Sequence, residues 1–130
     1  MSEFSDFFEN KIIDHLLRNV AYTPPATIYV ALFTAVTGLE SNAPTAEVAV
    51  GSYARVAVTL TAASAGAADN TADVVFPTAT ADWGTITHFA IMDALTLGNV
   101  LLWSPVTTAQ AVNNTNVAKF LLGTLDITID

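Results

Sequence analysis

From Pro25 onwards, apolar side chains alternate with polar or small ones at a period of two residues, the pattern of β-strands. The segment 27–34 is apolar on both faces, so we expect a central strand or a strand at an interface. The other alternating segments are 53–60, 72–76, 83–94, 100–106, 117–122 and 124–129. Gly98-Asn99 separates two of them and predicts an antiparallel hairpin. About seven short strands without intervening helices predict a mainly β fold, an antiparallel β-sandwich or jelly roll.

The only strong helical period covers residues 2–19, where two apolar stripes lie side by side. The first stripe consists of Phe4, Phe8, Ile12 and Leu16, and the second of Ile13, Leu17 and Val20. Ser2 is the predicted N-cap and Asn19 the predicted stop. We expect the first stripe to pack on the sandwich and the second to meet a neighbouring subunit. The chain is predicted to be a single domain, 1–130, with the N-terminal helix in 1–22 and the β-sandwich in 23–130.

The scarcity of charged residues limits the partners that the chain can have. Its 130 residues suit one domain, and 12% of them are charged, against ~25% in an average globular protein. The net charge of −8 argues against nucleic acid as a partner, because phosphate binding requires clustered Lys and Arg residues. The most apolar stretch, 26–39, is shorter than the ~20 residues of a membrane span, so no membrane segment is predicted. We therefore expect partner subunits to cover part of the surface.

The sequence contains no specific catalytic or metal-binding motif. His15 is expected to be a solvated helix residue, and His88 with Asp93 five residues later is more typical of a strand residue than of a catalytic base. The loops 69–73 and 113–116 offer oxygen ligands but lack the frame of a calcium site, and Asx-turns are the simpler interpretation. We accordingly predict no catalytic residue, no cofactor, no metal site and no enzymatic activity.

Aromatic residues are the remaining candidates for a binding surface. Tryptophan and tyrosine suit either a sugar-binding platform or packing in cores and interfaces, and packing is the favoured interpretation here. Trp83, at the start of a predicted strand, is the better candidate for an exposed aromatic side chain. The residues predicted to lie at a subunit or capsid interface are Ile13, Leu17, Val20, Tyr29, Phe33 and Trp83.

Several longer motifs are shared with a known group of proteins. They occupy residues 8–17, 26–34, 51–55, 70–73, 76–91 and 123–130. Through them the chain resembles, nearly end to end, a family of small virion proteins of tailed bacteriophages that are often labelled tail fibre proteins. The resemblance implies a compact β-sandwich module that works as a homotrimer. Such modules serve either as cement (decoration) proteins on capsids or as the tips of tail fibres and tailspikes.

Of these two roles, the sequence favours a trimeric capsid cement protein on the outer capsid surface, bound to the major capsid protein. A shaft-bearing fibre needs a long repetitive region, and the 130 residues include neither heptads nor a collagen-like repeat. The loops 36–52, 62–71 and 107–116 are then expected to touch capsid or solvent. The alternative is the receptor-binding tip of a tail fibre or tailspike, with tail proteins or a host surface glycan as partners.

Overall fold

A computed structural model describes residues 2–129 and shows a mainly β fold with one N-terminal helix, as predicted. The elements in chain order are β1 (Glu3–Phe4), α1 (Asp6–Leu17), β2 (Ile28–Phe33), β3 (Val56–Val58), β4 (Ala67–Ala68), β5 (Val74–Val75), β6 (Gly84–Met92), β7 (Val100–Val112), β8 (Lys119–Phe120) and β9 (Ile127–Thr128). Within the described chain, no helix combines the length and the apolarity that crossing a bilayer would require.

Nearly all of the longer strands belong to one antiparallel sheet. Its strand order is β1-β7-β6-β2-β3, and two smaller antiparallel ribbons pair β4 with β9 and β5 with β8. The predicted hairpin is confirmed, because β6 and β7 are antiparallel neighbours that are joined through Gly98. Gly98 has a φ of 73°, the left-handed conformation that favours glycine in such turns.

Both faces of β2 are covered, which explains why the strand is apolar on both sides. Val30 and Leu32 belong to the main core, which the five-stranded sheet shares with both ribbons. Phe33, on the opposite face, joins a second cluster that Leu39 covers from the long loop after β2. A strand between two cores requires apolar residues at consecutive positions, so the prediction of a central strand for 27–34 is confirmed.

The N-terminal helix starts later than predicted. Ser5, not Ser2, is the N-cap, and its side chain accepts a hydrogen bond from the Phe8 N–H at 3.3 Å. The reason is that Glu3 and Phe4 pair with β7 and are therefore extended. Ser2 exchanges hydrogen bonds with Thr128, its hydroxyl donating to the carbonyl at 2.8 Å and accepting from the N–H at 2.9 Å. These bonds attach the start of the described chain to β9.

Two strand boundaries also differ from the sequence-based predictions. β3 covers only Val56–Val58 of the predicted 53–60, because the next backbone groups of β2, at Leu32, bond to the Tyr53 hydroxyl and the Val48 N–H instead of to a longer β3. β7 extends to Val112, so the predicted loop 107–116 is in part a strand. In the last segment Leu125 and Ile127 are buried, whereas Ile129 is 58% exposed.

Candidate functional site

The outer face of α1 is an exposed apolar surface. We define the helix patch as Ile13, Leu16, Leu17 and Val20, whose exposed fractions are 51%, 70%, 80% and 44%. Leu16 was predicted to pack on the sandwich and instead belongs to this patch, because only the N-terminal part of the helix reaches the core through Phe7 and Phe8. Contiguous exposed aliphatic side chains of this kind are typical of surfaces that another molecule covers.

Beside the helix patch, an apolar groove of about 410 Å³ separates α1 from the chain that leads to β2. Its walls are formed by Phe8, Ile12 and Leu16 on one side and by Tyr22, Pro24, Pro25 and Ile28 on the other. The rings of Phe8 and Tyr22 meet edge to face with centroids 6.0 Å apart. Lys11 and His15 also line this groove, but nearly all of the surface that lines it is apolar. The helix patch and the groove therefore form one largely apolar side of the molecule through their common residue Leu16.

The local sequence accounts for the end of α1 next to this patch. Asn19 has a φ of 55°, the left-handed conformation that the sequence predicted for the helix stop. Arg18 donates to the Asp14 carboxylate at 2.7 Å, one helical turn away. Because the helix ends before Val20, this residue lies outside α1. Its side chain is exposed and belongs to the same patch as Leu17.

The structure places the other predicted interface residues differently. Tyr29 is half-buried, whereas Phe33 is 0% and Trp83 4% exposed. Trp83 donates its indole N–H to the Gly51 carbonyl at 2.9 Å and meets the Tyr53 ring edge to face at 5.4 Å. Phe33 and Trp83 are therefore covered by their own chain, and the expectation of an exposed aromatic side chain at Trp83 was wrong.

A buried ion pair lies behind the β6–β7 turn. Arg55 donates Nε and Nη2 to the two carboxylate oxygens of Glu47, each at 2.7 Å, and Nη1 to the carbonyls of Ala94 and Leu97, also at 2.7 Å. The Tyr53 hydroxyl donates to Glu47 at 2.9 Å, and burial together with the Glu47 charge raises the pKa of this phenol. The network joins three segments of chain, and its only sequence signal is the Gly51-Ser-Tyr-Ala-Arg55 motif.

The histidine and carboxylate candidates do not form a catalytic pair. His88 Nδ1 lies 2.8 Å from the Thr87 hydroxyl, and Asp93 accepts hydrogen bonds from the N–H and the side-chain amide of Asn99 at 2.6 and 2.8 Å. Burial lowers the pKa of His88, which favours the neutral ring. Asp93 therefore holds the β6–β7 turn, and it does not orient His88.

The loop residues considered as calcium ligands mainly support the backbone. Asn70 is 1% exposed; its amide donates to the Ala72 and Leu121 carbonyls, and its oxygen accepts from the Leu125 N–H. Asp73 accepts from the Leu122 N–H at 2.7 Å. Within residues 2–129, one cluster of three acidic side chains has its carboxylates close together. It consists of Asp6, Glu9 and Glu40, all exposed, and the sequence reasoning did not find it. Two of these acids lie in the first turn of α1, where the helix dipole favours negative charge.

These observations describe a mainly β protein with one uncovered apolar side, whose buried polar groups hold the fold together. A family model described as Podophage GP4 fiber I protein gp80 matches residues 3–128. The chain belongs to this family, and it is accordingly a structural, fibre-type component of a phage virion. No curated protein sequence matches the chain.

Proposed function

We propose that the chain is the subunit of a homotrimeric phage tail fibre, and that the copies associate through the helix patch. The observation that carries the proposal is the exposure of four aliphatic side chains, up to 80% for Leu17, on one side of a chain that has few charged residues. The family description, which names a fibre protein, supports this role. A net charge of −8 suits an external location that is away from packaged DNA.

The helix patch offers enough burial energy for association. Full burial of one large aliphatic side chain stabilises by about 1.5–3 kcal/mol, so the exposed parts of these four side chains contribute roughly 5 kcal/mol per interface. Holding subunits together costs several kcal/mol of lost translational and rotational freedom. A closed ring of three subunits repeats the contact three times, which allows a small patch to stabilise the assembly.

The oligomer is tested by substitutions inside and outside the helix patch. The wild-type chain is expected to have three times its 13.7 kDa mass by light scattering after size exclusion. Leu17→Ser removes roughly 1.5–2 kcal/mol from each of three contacts and should weaken assembly more than a thousandfold. Val20→Ser should weaken it less, and the matched control Val50→Ser, which changes a 53% exposed valine outside the patch, should leave the mass unchanged. A monomeric wild type, or a Leu17→Ser variant that assembles normally, contradicts the trimer contact.

The position in the virion is tested separately. Antibody labelling of intact particles in electron micrographs should mark the tail, with a few copies per virion. Labelling over the whole capsid, at a copy number near that of the major capsid protein, would instead identify the cement protein that the sequence reasoning favoured.

A further inference from the structure

The β6–β7 turn, residues 93–99, presents an apolar side chain to solvent at a strained position. Among the large apolar side chains of residues 2–129, Leu97 is the most exposed, at 86%, so it contributes almost no burial to its own fold. Its φ of 55° is a left-handed conformation that is unfavourable for a bulky residue and that glycine or asparagine adopts more readily. Leucine at this position therefore lowers the stability of its own chain, which points to a contact outside that chain.

The backbone of the turn is fixed in spite of this strain. Arg55 donates its Nη1 to the carbonyls of Ala94 and Leu97, each at 2.7 Å. The Asp93 carboxylate accepts from the Asn99 N–H at 2.6 Å and closes the turn. A turn that is fixed before association loses little conformational entropy on binding, so Leu97 is a pre-organised apolar anchor.

The apolar groove beside α1 has the size and the lining to receive such an anchor. Its volume of about 410 Å³ exceeds the need of a leucine side chain, which is roughly that of four water molecules at ~30 Å³ each. Nearly all of its lining surface is apolar, so a leucine that enters it leaves water for an apolar environment. The groove shares Leu16 with the helix patch, and an occupant of the groove therefore extends the contact proposed for that patch.

Cyclic symmetry favours a second copy of the chain as the source of the anchor. In a ring of three subunits each interface joins two different surfaces, so the helix patch requires a complementary surface on the next subunit. Each copy has a net charge of −8, and residues 94–98 of the turn carry no charged side chain that would repel another copy. Ile91 and Leu101 line the groove and belong to the two strands that the turn joins, so the turn and the groove lie at the same end of the sheet.

We propose that Leu97 of one subunit inserts into the groove beside α1 of the next subunit, an inference that rests on the proposed homotrimer. The β6–β7 turn is then the second surface of the interface that the helix patch begins. In a closed ring each subunit provides one anchor and one groove, and the contact is made three times.

Replacing Leu97 by asparagine tests the anchor, because asparagine removes the aliphatic side chain and tolerates the positive φ. This variant should weaken each contact about 10- to 100-fold, measured by light scattering over a dilution series. The matched control Leu122→Asn, at a 63% exposed leucine outside the turn and the groove, should keep the wild-type mass. In the Leu17→Ser background, where assembly is already weakened, Leu97→Asn should raise the thermal midpoint by about 3–5 °C because it relieves the strain. That rise distinguishes a lost contact from a failure to fold.

Cross-linking tests the contact itself, because the chain has no cysteine of its own. Leu97→Cys and Leu16→Cys chains are mixed, allowed to exchange subunits and treated with a short bis-maleimide. The mixture should yield a covalent pair of twice 13.7 kDa. A mixture of Leu97→Cys with Leu122→Cys is the control and should yield none.

Three results would overturn the inference while the wild type is a trimer. They are unchanged assembly of Leu97→Asn, a lowered midpoint of Leu97→Asn in the Leu17→Ser background, and no cross-linked pair from the mixture of Leu97→Cys and Leu16→Cys chains. A wild type of two copies that still gives the cross-link would overturn the trimer and support the contact. A monomeric wild type would overturn both.

Discussion

Replacing Glu47 by glutamine tests whether the ion pair behind the β6–β7 turn holds the fold. The side chain of Arg55 is 6% exposed and that of Glu47 is 24% exposed. When the Glu47 carboxylate is removed, water can therefore replace few of the hydrogen bonds that the Arg55 guanidinium loses. Glutamine keeps one acceptor oxygen, but it removes the negative charge and turns an amide N–H₂ towards a guanidinium that can only donate. Removing one partner of a buried pair costs about 3–5 kcal/mol, and the partial exposure of Glu47 points to the lower end, about 3 kcal/mol.

This cost is measurable by urea unfolding followed by circular dichroism, with all variants at the same protomer concentration. With a slope of about 2 kcal/mol per molar urea, Glu47→Gln should lower the midpoint by roughly 1.5 M. The matched control is Asp14→Asn, which breaks the other ion pair, Arg18–Asp14, whose side chains are 66% and 32% exposed. The control should cost at most about 0.5 kcal/mol, because solvent screens exposed pairs.

A double variant identifies the cause of the loss. The double variant Glu47→Gln/Arg55→Met removes both charges. Its loss of unfolding free energy should therefore be about 1–2 kcal/mol smaller than the sum of the losses in the two single variants. If Glu47→Gln and Asp14→Asn destabilise equally, or if the two effects at Glu47 and Arg55 simply add, then the uncompensated charge of Arg55 is not what destabilises the chain.

Two further predictions concern single side chains. Asn70→Ala removes three hydrogen bonds from a buried site and should lower the free energy of unfolding by about 3 kcal/mol. Asn114→Ala, at an exposed side chain that forms no hydrogen bond within residues 2–129, should change it little. Equal free energies of unfolding for these two variants would contradict this reasoning. The lowered pKa of His88 means that, as the pH falls through about 6.5, the unfolded chain takes up a proton before the folded chain does. Stability should therefore fall between pH 7 and pH 5, and His88→Gln should reduce that decrease; an unchanged pH dependence would contradict the lowered pKa.

Much of the fold follows from local patterns in the sequence. The helix was predicted because its apolar residues recur at helical spacing, and the hairpin because Gly98-Asn99 lies between two alternating segments. The two-residue strands β4, β8 and β9 are too short to establish a period, so their bounds could not be predicted closely. The start of α1 was misplaced because Phe4 has the helical spacing of Phe8, Ile12 and Leu16 but is held in an extended pairing with β7.

The candidate site was predicted only in part. Ile13, Leu17 and Val20 are exposed, as an interface requires, but their contact with a neighbouring subunit stays a prediction. Phe33 and Trp83 were assigned to the same interface because an apolar strand residue has the same sequence pattern whether its own chain or another covers it.

Local sequence patterns are enough to specify the class of the fold, the N-terminal helix and its stop at Asn19, since these depend on side chains within a few residues of one another. Tertiary structure alone decided which distant residues meet: Arg55 with Glu47 and the β6–β7 turn, and Ser2 with Thr128 across 126 positions. Such contacts depend on how the sheet, the ribbons and the long loops pack together, and a pattern that is read along the chain does not contain that arrangement. The same packing determines which apolar side chains are buried and which, on α1, remain exposed to a partner.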